Sequence, residues 1–253
     1  MTAALLPTYP NPNIVCDGLE TDACSIEKSA VLSGVSNSKT GIFSVWVDPT
    51  DLLGADILLR GTTVSPAANN ILIQRAPGGA GFETVFVLLY NSAGTQIATI
   101  ESVTELGLVG GYVHLLVSWD LSVPTAHFYF DDVEDYDSGA SSLTDDTVEY
   151  EAADFWTLNT TAASYKDFNI AELYFAPGQY LDFSVVSNRR KFISANGKPV
   201  HLGSDGSLPT GTAPVVYFHL DDSESAANFA TNAGSGGNFS VNGTAATASS
   251  SPN

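Results

Sequence analysis

The chain has 253 residues, enough for one large β-sandwich or two small domains, and 44% of them are hydrophobic against 15% charged. That composition supplies a core and excludes a disordered chain. Charge is lopsided: 28 Asp and Glu face 9 Lys and Arg, a formal net of -19, so the surface repels phosphate backbones and anionic membranes and argues against both as partners.

Residues 1–15 read as an extended stretch, because Pro7, Pro10 and Pro12 forbid a helix. They begin an N-terminal arm expected over residues 1–23. The start of the chain shows no basic region followed by an apolar one, so the expectation is a protein made in the cytoplasm without a classical export signal. From residue 24 the pattern becomes strand and turn. Gly41–Asp48 places Phe43, Val45 and Val47 on one face. Ile57–Arg60 and Asn70–Arg75 follow, separated by a turn region. Phe82–Asn91 is apolar on both faces, which predicts a central strand. Ser92, Ala93 and Gly94 turn the chain into Thr95–Ser102. Tyr112–Asp120 alternates, with Val113, Leu115, Val117 and Trp119 together. Ala126–Val133 is the next strand, and the acidic stretch Asp135–Asp154 reads as loop. Phe155–Asn159 and Asn169–Ala176 return to strand. Leu181–Ile193 has helical spacing, with Asp182 or Ser184 to cap it and Arg189, Arg190 and Lys191 in its last turn. Val215–Leu220 and Asn238–Val241 are late strands, and residues 246–253 read as a low-complexity tail. No apolar run is long enough to span a bilayer. About a dozen short strands and one helix predict an all-β fold: a two-sheet antiparallel β-sandwich of jelly-roll form over residues 24–245, with one short helix near 181–194.

Chemistry concentrates in few places. Asp131, Asp132, Glu134, Asp135 and Asp137 repel one another, and a hard cation such as calcium would relieve that. Asp131, Asp132, Asp135 and Asp137 are therefore the candidate metal ligands, although their spacing matches no EF-hand; a solvent-facing acidic hairpin end is the plainer alternative. Asp145, Asp146, Glu149, Glu151 and Asp154 extend the same region. Carbohydrate binding needs an exposed aromatic platform beside polar groups, and Tyr136 and Trp156 with Asn159 are the candidates. Cys16 and Cys24 are eight residues apart; they read as two reduced thiols or as a small disulfide loop. Histidines 114, 127, 201 and 219 form no readable triad or metal site. The run Gly234–Gly237 precedes a strand and reads as a turn, not a phosphate loop.

Three stretches resemble concanavalin A-like and laminin-G-like domains: Lys39–Val47 (KTGIFSVWV), Gly111–Asp132 (GYVHLLVSWDLSVPTAHFYFDD) and Phe168–Phe175 (FNIAELYF). One departure is Asp131-Asp132, where many members carry Asn-Gly or Asp-Gly in the turn. The segments Asp182–Gly203, Asp205–Pro214 and Asn228–Gly243 are similar to a variety found in structural proteins of tailed bacteriophages. The resemblance implies a non-enzymatic virion protein, a head decoration, fibre or tail component. It would be docked on other virion proteins through its N-terminal arm and through Arg189, Arg190 and Lys191, and would self-associate as a symmetric oligomer. The alternative is a lectin-like module for host-surface glycans, with or without calcium. A polysaccharide-degrading enzyme is the third reading. The family's lytic members use an E-x-D-x-x-E strand, whereas Glu172 is the sole acid in its strand here and reads as structural.

Overall fold

A computed structural model describes residues 19–20, 24–49, 56–65, 68–77, 83–106, 111–158, 168–220 and 225–252. In chain order the strands are β1 (Leu19–Glu20), β2 (Cys24–Lys28), β3 (Thr40–Pro49), β4 (Asp56–Thr63), β5 (Ala68–Pro77), β6 (Glu83–Tyr90), β7 (Gln96–Glu101) and β8 (Val113–Asp120). There follow β9 (Thr125–Phe130), β10 (Val133–Glu134), β11 (Ser142–Leu143), β12 (Phe155–Leu158), β13 (Phe168–Pro177), the one-turn helix α1 (Val186–Arg189), β14 (Val216–Phe218), β15 (Ser240–Gly243) and β16 (Ala246–Thr247).

The strands form two antiparallel sheets, as the alternation predicts. The first runs β10-β9-β8-β3-β13-β1-β16, with β14 also on β13; the second runs β11-β7-β6-β5-β4-β12-β2-β15. Residues 19–20 and 246–247, expected in the arm and the tail, pair with each other in the first sheet, where residues 19–20 also pair with β13. The remaining arm residues and Cys16 lie outside the described residues; Cys24 is buried in β2.

The core between the sheets is built by period-two patterning. Phe43, Val45 and Val47 of β3 and Val113, Leu115, Val117 and Trp119 of β8 enter it together, as the sequence alternation requires. Ile71, Ile73, Val85, Val87 and Leu89 meet them from the second sheet. Two glycines admit the largest rings. A Cβ at Gly41 would stand 2.1 Å from the Trp119 ring, and one at Gly61 would stand 2.7 Å from the Trp156 ring.

The outer faces of the two sheets differ. The first is covered by its own chain: Ile42, Leu116, Tyr129 and Tyr174 pack against Phe183, Phe192, Leu202 and Tyr217. The Phe192 ring meets Tyr174 and Phe183 edge-on at 5.2 and 5.7 Å. The helix predicted over 181–193 is reduced to the single turn of α1, flanked by turns. Local chemistry explains this. Asp182 Oδ1 accepts bonds from both the amide and the hydroxyl of Ser184, and Asn188 donates to the Asp182 carbonyl, so side chains hold a turn where a helix would start. Val185, Val186 and Asn188 add little helix propensity.

Candidate functional site

On the second sheet the residues that alternate with the core set face outward. Leu72 and Gln74 of β5 and Thr84, Phe86, Leu88 and Tyr90 of β6 are half-buried. Their apolar members belong to none of the buried clusters. Register sets them in rows across the strands. Arg60 of β4 opposes Leu72, which opposes Leu88, which opposes Thr99. Gln74 opposes Phe86, which opposes Glu101. Neighbouring strands lie about 4.8 Å apart and alternate residues of one strand about 6.8 Å apart. The face is therefore a strip with Phe86, Leu88 and Tyr90 along its axis and polar groups on both flanks. Those polar groups are pre-positioned. The Tyr90 hydroxyl lies 3.4 Å from Gln96 Oε1, Gln96 Nε2 donates to Thr99 Oγ1 at 2.7 Å, and Thr84 Oγ1 donates to Glu101 Oε1 at 2.8 Å.

At the β4–β5 end the strip opens into a depression of about 380 Å³ lined by Arg60, Thr62, Thr63, Val64, Ala68 and Asn69. Arg60 Nε donates to Asn69 Oδ1 at 3.2 Å. Behind the depression Asp154 is committed to the turn, accepting from the Val64 amide at 2.8 Å, and Thr63 Oγ1 lies 2.9 Å from the Ala152 carbonyl. The arrangement offers apolar and aromatic surface beside hydroxyl, amide and guanidinium donors, the pairing that recognises a ring with one apolar face and polar edges.

The residues singled out by sequence go elsewhere. Trp156 is fully buried, with its Nε1 donating to the Ala153 carbonyl at 2.9 Å and its ring 6.0 Å from Phe175. It is a core residue, not a platform, because β12 lies inside the second sheet with its indole turned toward β13. Tyr136 is half-buried against the same core and bridges to Ser102. Asn159 lies outside the described residues.

The four carboxylates expected to gather around calcium serve separate partners. Asp131 and Asp132 form the β9–β10 turn with φ of 47° and 68°, both positive as a two-residue hairpin turn of the I′ kind requires. Asp131 Oδ1 accepts from the His114 amide at 2.8 Å, and burial pushes its carboxyl upward. Asp132 takes Arg190 on one oxygen at 2.5 Å and Arg189 on the other at 2.6 Å; both ion pairs, Arg190 first, hold its carboxyl below the usual range. Asp135 accepts from the amide and hydroxyl of Thr104, and Asp137 caps the amides of Gly139 and Ala140. Further along, Asp145 pairs with Lys39, Asp146 accepts from Asn91 and Thr147, and Glu149 accepts from the Ala152 amide. Among the described residues no three metal-ligating side chains come together. The oxygens of the acidic run are engaged by amides, hydroxyls and cations of the chain itself.

The basic cluster also turns inward. Arg189 lies over the Tyr129 ring at 4.4 Å and donates to the Phe183 carbonyl, Arg190 is held by Asp132, and Lys191 donates to the Pro209 carbonyl. Arg189 and Arg190 fasten the 178–214 excursion to the first sheet, and Lys191 ties two parts of the excursion together. Glu172 is buried at a bulge in β13 with φ of 48° and accepts from the Tyr217 hydroxyl at 2.7 Å.

What sequence reasoning missed is the strip itself. Its signal was present in Phe82–Asn91, apolar on both faces. β6 is indeed an interior strand, between β5 and β7. Its outward side chains are left half-open rather than covered.

No known family profile matches the chain, and no curated protein matches it in sequence. Solved structures share its fold. A candidate carbohydrate-binding protein from Bacteroides ovatus superposes with a TM-score of 0.62 at 13% identity, over 95% of this chain and 62% of that one. This chain thus spans less than two thirds of that protein's length. A native heptameric SAP-like pentraxin from Limulus polyphemus superposes with a TM-score of 0.50 at 9% identity, over 70% of this chain and 83% of that one.

Proposed function

We propose that the protein is a non-catalytic, lectin-like module that binds carbohydrate on the outer face of its second sheet. The observation that carries this reading is the strip of Leu72, Phe86, Leu88 and Tyr90, half-open and flanked by Arg60, Gln74, Gln96 and Thr99. Sugar rings present an axial C–H face that packs on apolar and aromatic surface and hydroxyls that need donors and acceptors at its edge. The strip supplies both on rigid strands, which keeps the ordering cost of binding low. The likeness to a candidate carbohydrate-binding protein supports the same reading, and it favours the lectin-like alternative over a virion structural role. A glycan array probed with wild-type protein and with Phe86→Ala tests it. Wild type is expected to bind a defined glycan set. Phe86→Ala, which removes a half-buried ring outside the core, is expected to lose about tenfold in affinity at unchanged melting temperature. No glycan binding by wild type, or equal binding by the variant, would remove this assignment.

A further inference from the structure

We infer that the strip selects carboxylate-bearing sugars, with Arg60 in the depression as the group that reads the acid; this rests on the carbohydrate reading above. The argument starts from the distribution of cations. In a chain with 9 Lys and Arg against 28 Asp and Glu, a cation is ordinarily captured by the protein's own acids or carbonyls. Lys39 pairs with Asp145, and Arg189 and Arg190 pair with Asp132. Lys28, Lys191 and Lys198 donate to backbone carbonyls, and Arg75 is fully buried, donating to the Leu106 carbonyl. Arg60 is different. It lines an open depression, and among the described residues its hydrogen-bond partner is the neutral Asn69 side chain, with no carboxylate on it.

Geometry makes this a receptor rather than a stray charge. The bond from Nε to Asn69 Oδ1 fixes the plane of the guanidinium and leaves its two terminal nitrogens uncommitted. A guanidinium held by one edge presents its parallel N–H groups to a planar anion, and a carboxylate matches that fork. Arg60 stands directly across the ladder from Leu72, and Leu72 from Leu88. A sugar seated on the apolar strip therefore places an equatorial acid within reach of the depression, which Thr62 and Thr63 also line. Asp154, beside the Val64 turn, is tied to the Val64 amide.

The test uses the full chain and paired probes in which the acid is either free or masked as its methyl ester. These are oligogalacturonate, a glucuronate-containing oligosaccharide and a sialylated oligosaccharide, each as the free acid and as its methyl ester. Binding is measured by calorimetry for wild type, Arg60→Gln and Arg60→Lys, each checked for an unchanged melting temperature. At least one acid is expected to bind wild type about tenfold or more tightly than its ester. Arg60→Gln is expected to bring acid and ester within about twofold while ester binding persists, and Arg60→Lys to restore only part of the preference. No preference for any acid over its ester, or a preference that survives in Arg60→Gln, would overturn the inference. Binding of neutral glycans alone would leave the carbohydrate reading standing and remove the acidic selectivity; loss of all binding would remove both.

Discussion

His114 shows how one residue ties sequence to stability. It is fully buried on the outer side of β8, stacked on Trp46 with ring centroids 4.7 Å apart and with Nε2 2.8 Å from Ser44 Oγ. Burial pushes its imidazole down to about 3. The folded protein therefore holds it neutral where an unfolded chain protonates it near pH 6.5. Folded protein binds fewer protons, so stability is full above about pH 6.5 and falls as pH drops toward 3, by roughly 1.4 kcal/mol per pH unit from this group. Urea unfolding at pH 7 and pH 4.5 checks it: His114→Gln is expected to lose roughly 2 kcal/mol less than wild type between those values, and equal losses would contradict it. Asp132 acts with the opposite sign of shift. Its carboxyl is held low by Arg190 and Arg189, so its contribution is present above about pH 4 and is lost as pH falls through the lowered value. Asp132→Ala leaves Arg189, 9% exposed, without its counter-ion. The Phe183 carbonyl and the Tyr129 ring remain, so the expected loss is about 2 kcal/mol, below that of a fully isolated buried charge. Chemical denaturation of Asp132→Ala against Asp132→Ala/Arg189→Met checks this; the double variant is expected to recover part of the loss.

At the scale of elements, strands with clean alternation were legible because period-two burial depends only on neighbouring residues. β3 and β8 place in the core the residues their sequence assigns to it. The Asp131-Asp132 turn was legible as unusual, since two non-glycine residues stand where φ must be positive. The helix near 181–194 was not legible in extent, because, of its apolar residues, Leu181, Phe192 and Ile193 pack on the first sheet while Val185 and Val186 stay exposed. The partners of the acidic loop were not legible in sequence, because those of Asp131 and Asp135, His114 and Thr104, lie far away along the chain. The strands also make close approaches that permit no side chain. Gly61→Ala would drive a Cβ to 2.7 Å from the Trp156 ring. It is expected to cost about 2 kcal/mol by overpacking, read as a drop in melting temperature; an unchanged transition would mean that Trp156 has room to move.

Over the whole molecule the two sheets are used unequally. One spends its outer face on the chain's own excursion, which Arg189 and Arg190 fasten to the β9–β10 turn through Asp132. The other keeps its outer face half-open with aromatic, aliphatic and polar residues interleaved. Among the described residues no helix is long and apolar enough to cross a membrane. The candidate site was hidden from sequence because an outward apolar residue and a covered one look alike until the topology shows which sheet face the chain folds back upon.

Amide hydrogen exchange with and without a saturating glycan from the array locates the site most directly. Protection confined to β4–β7 is the expected result, strongest at residues 68–75 and 84–90. Protection at the acidic turn 131–137 or along 186–191, with β4–β7 unchanged, would contradict the assignment and move the binding surface to the first sheet.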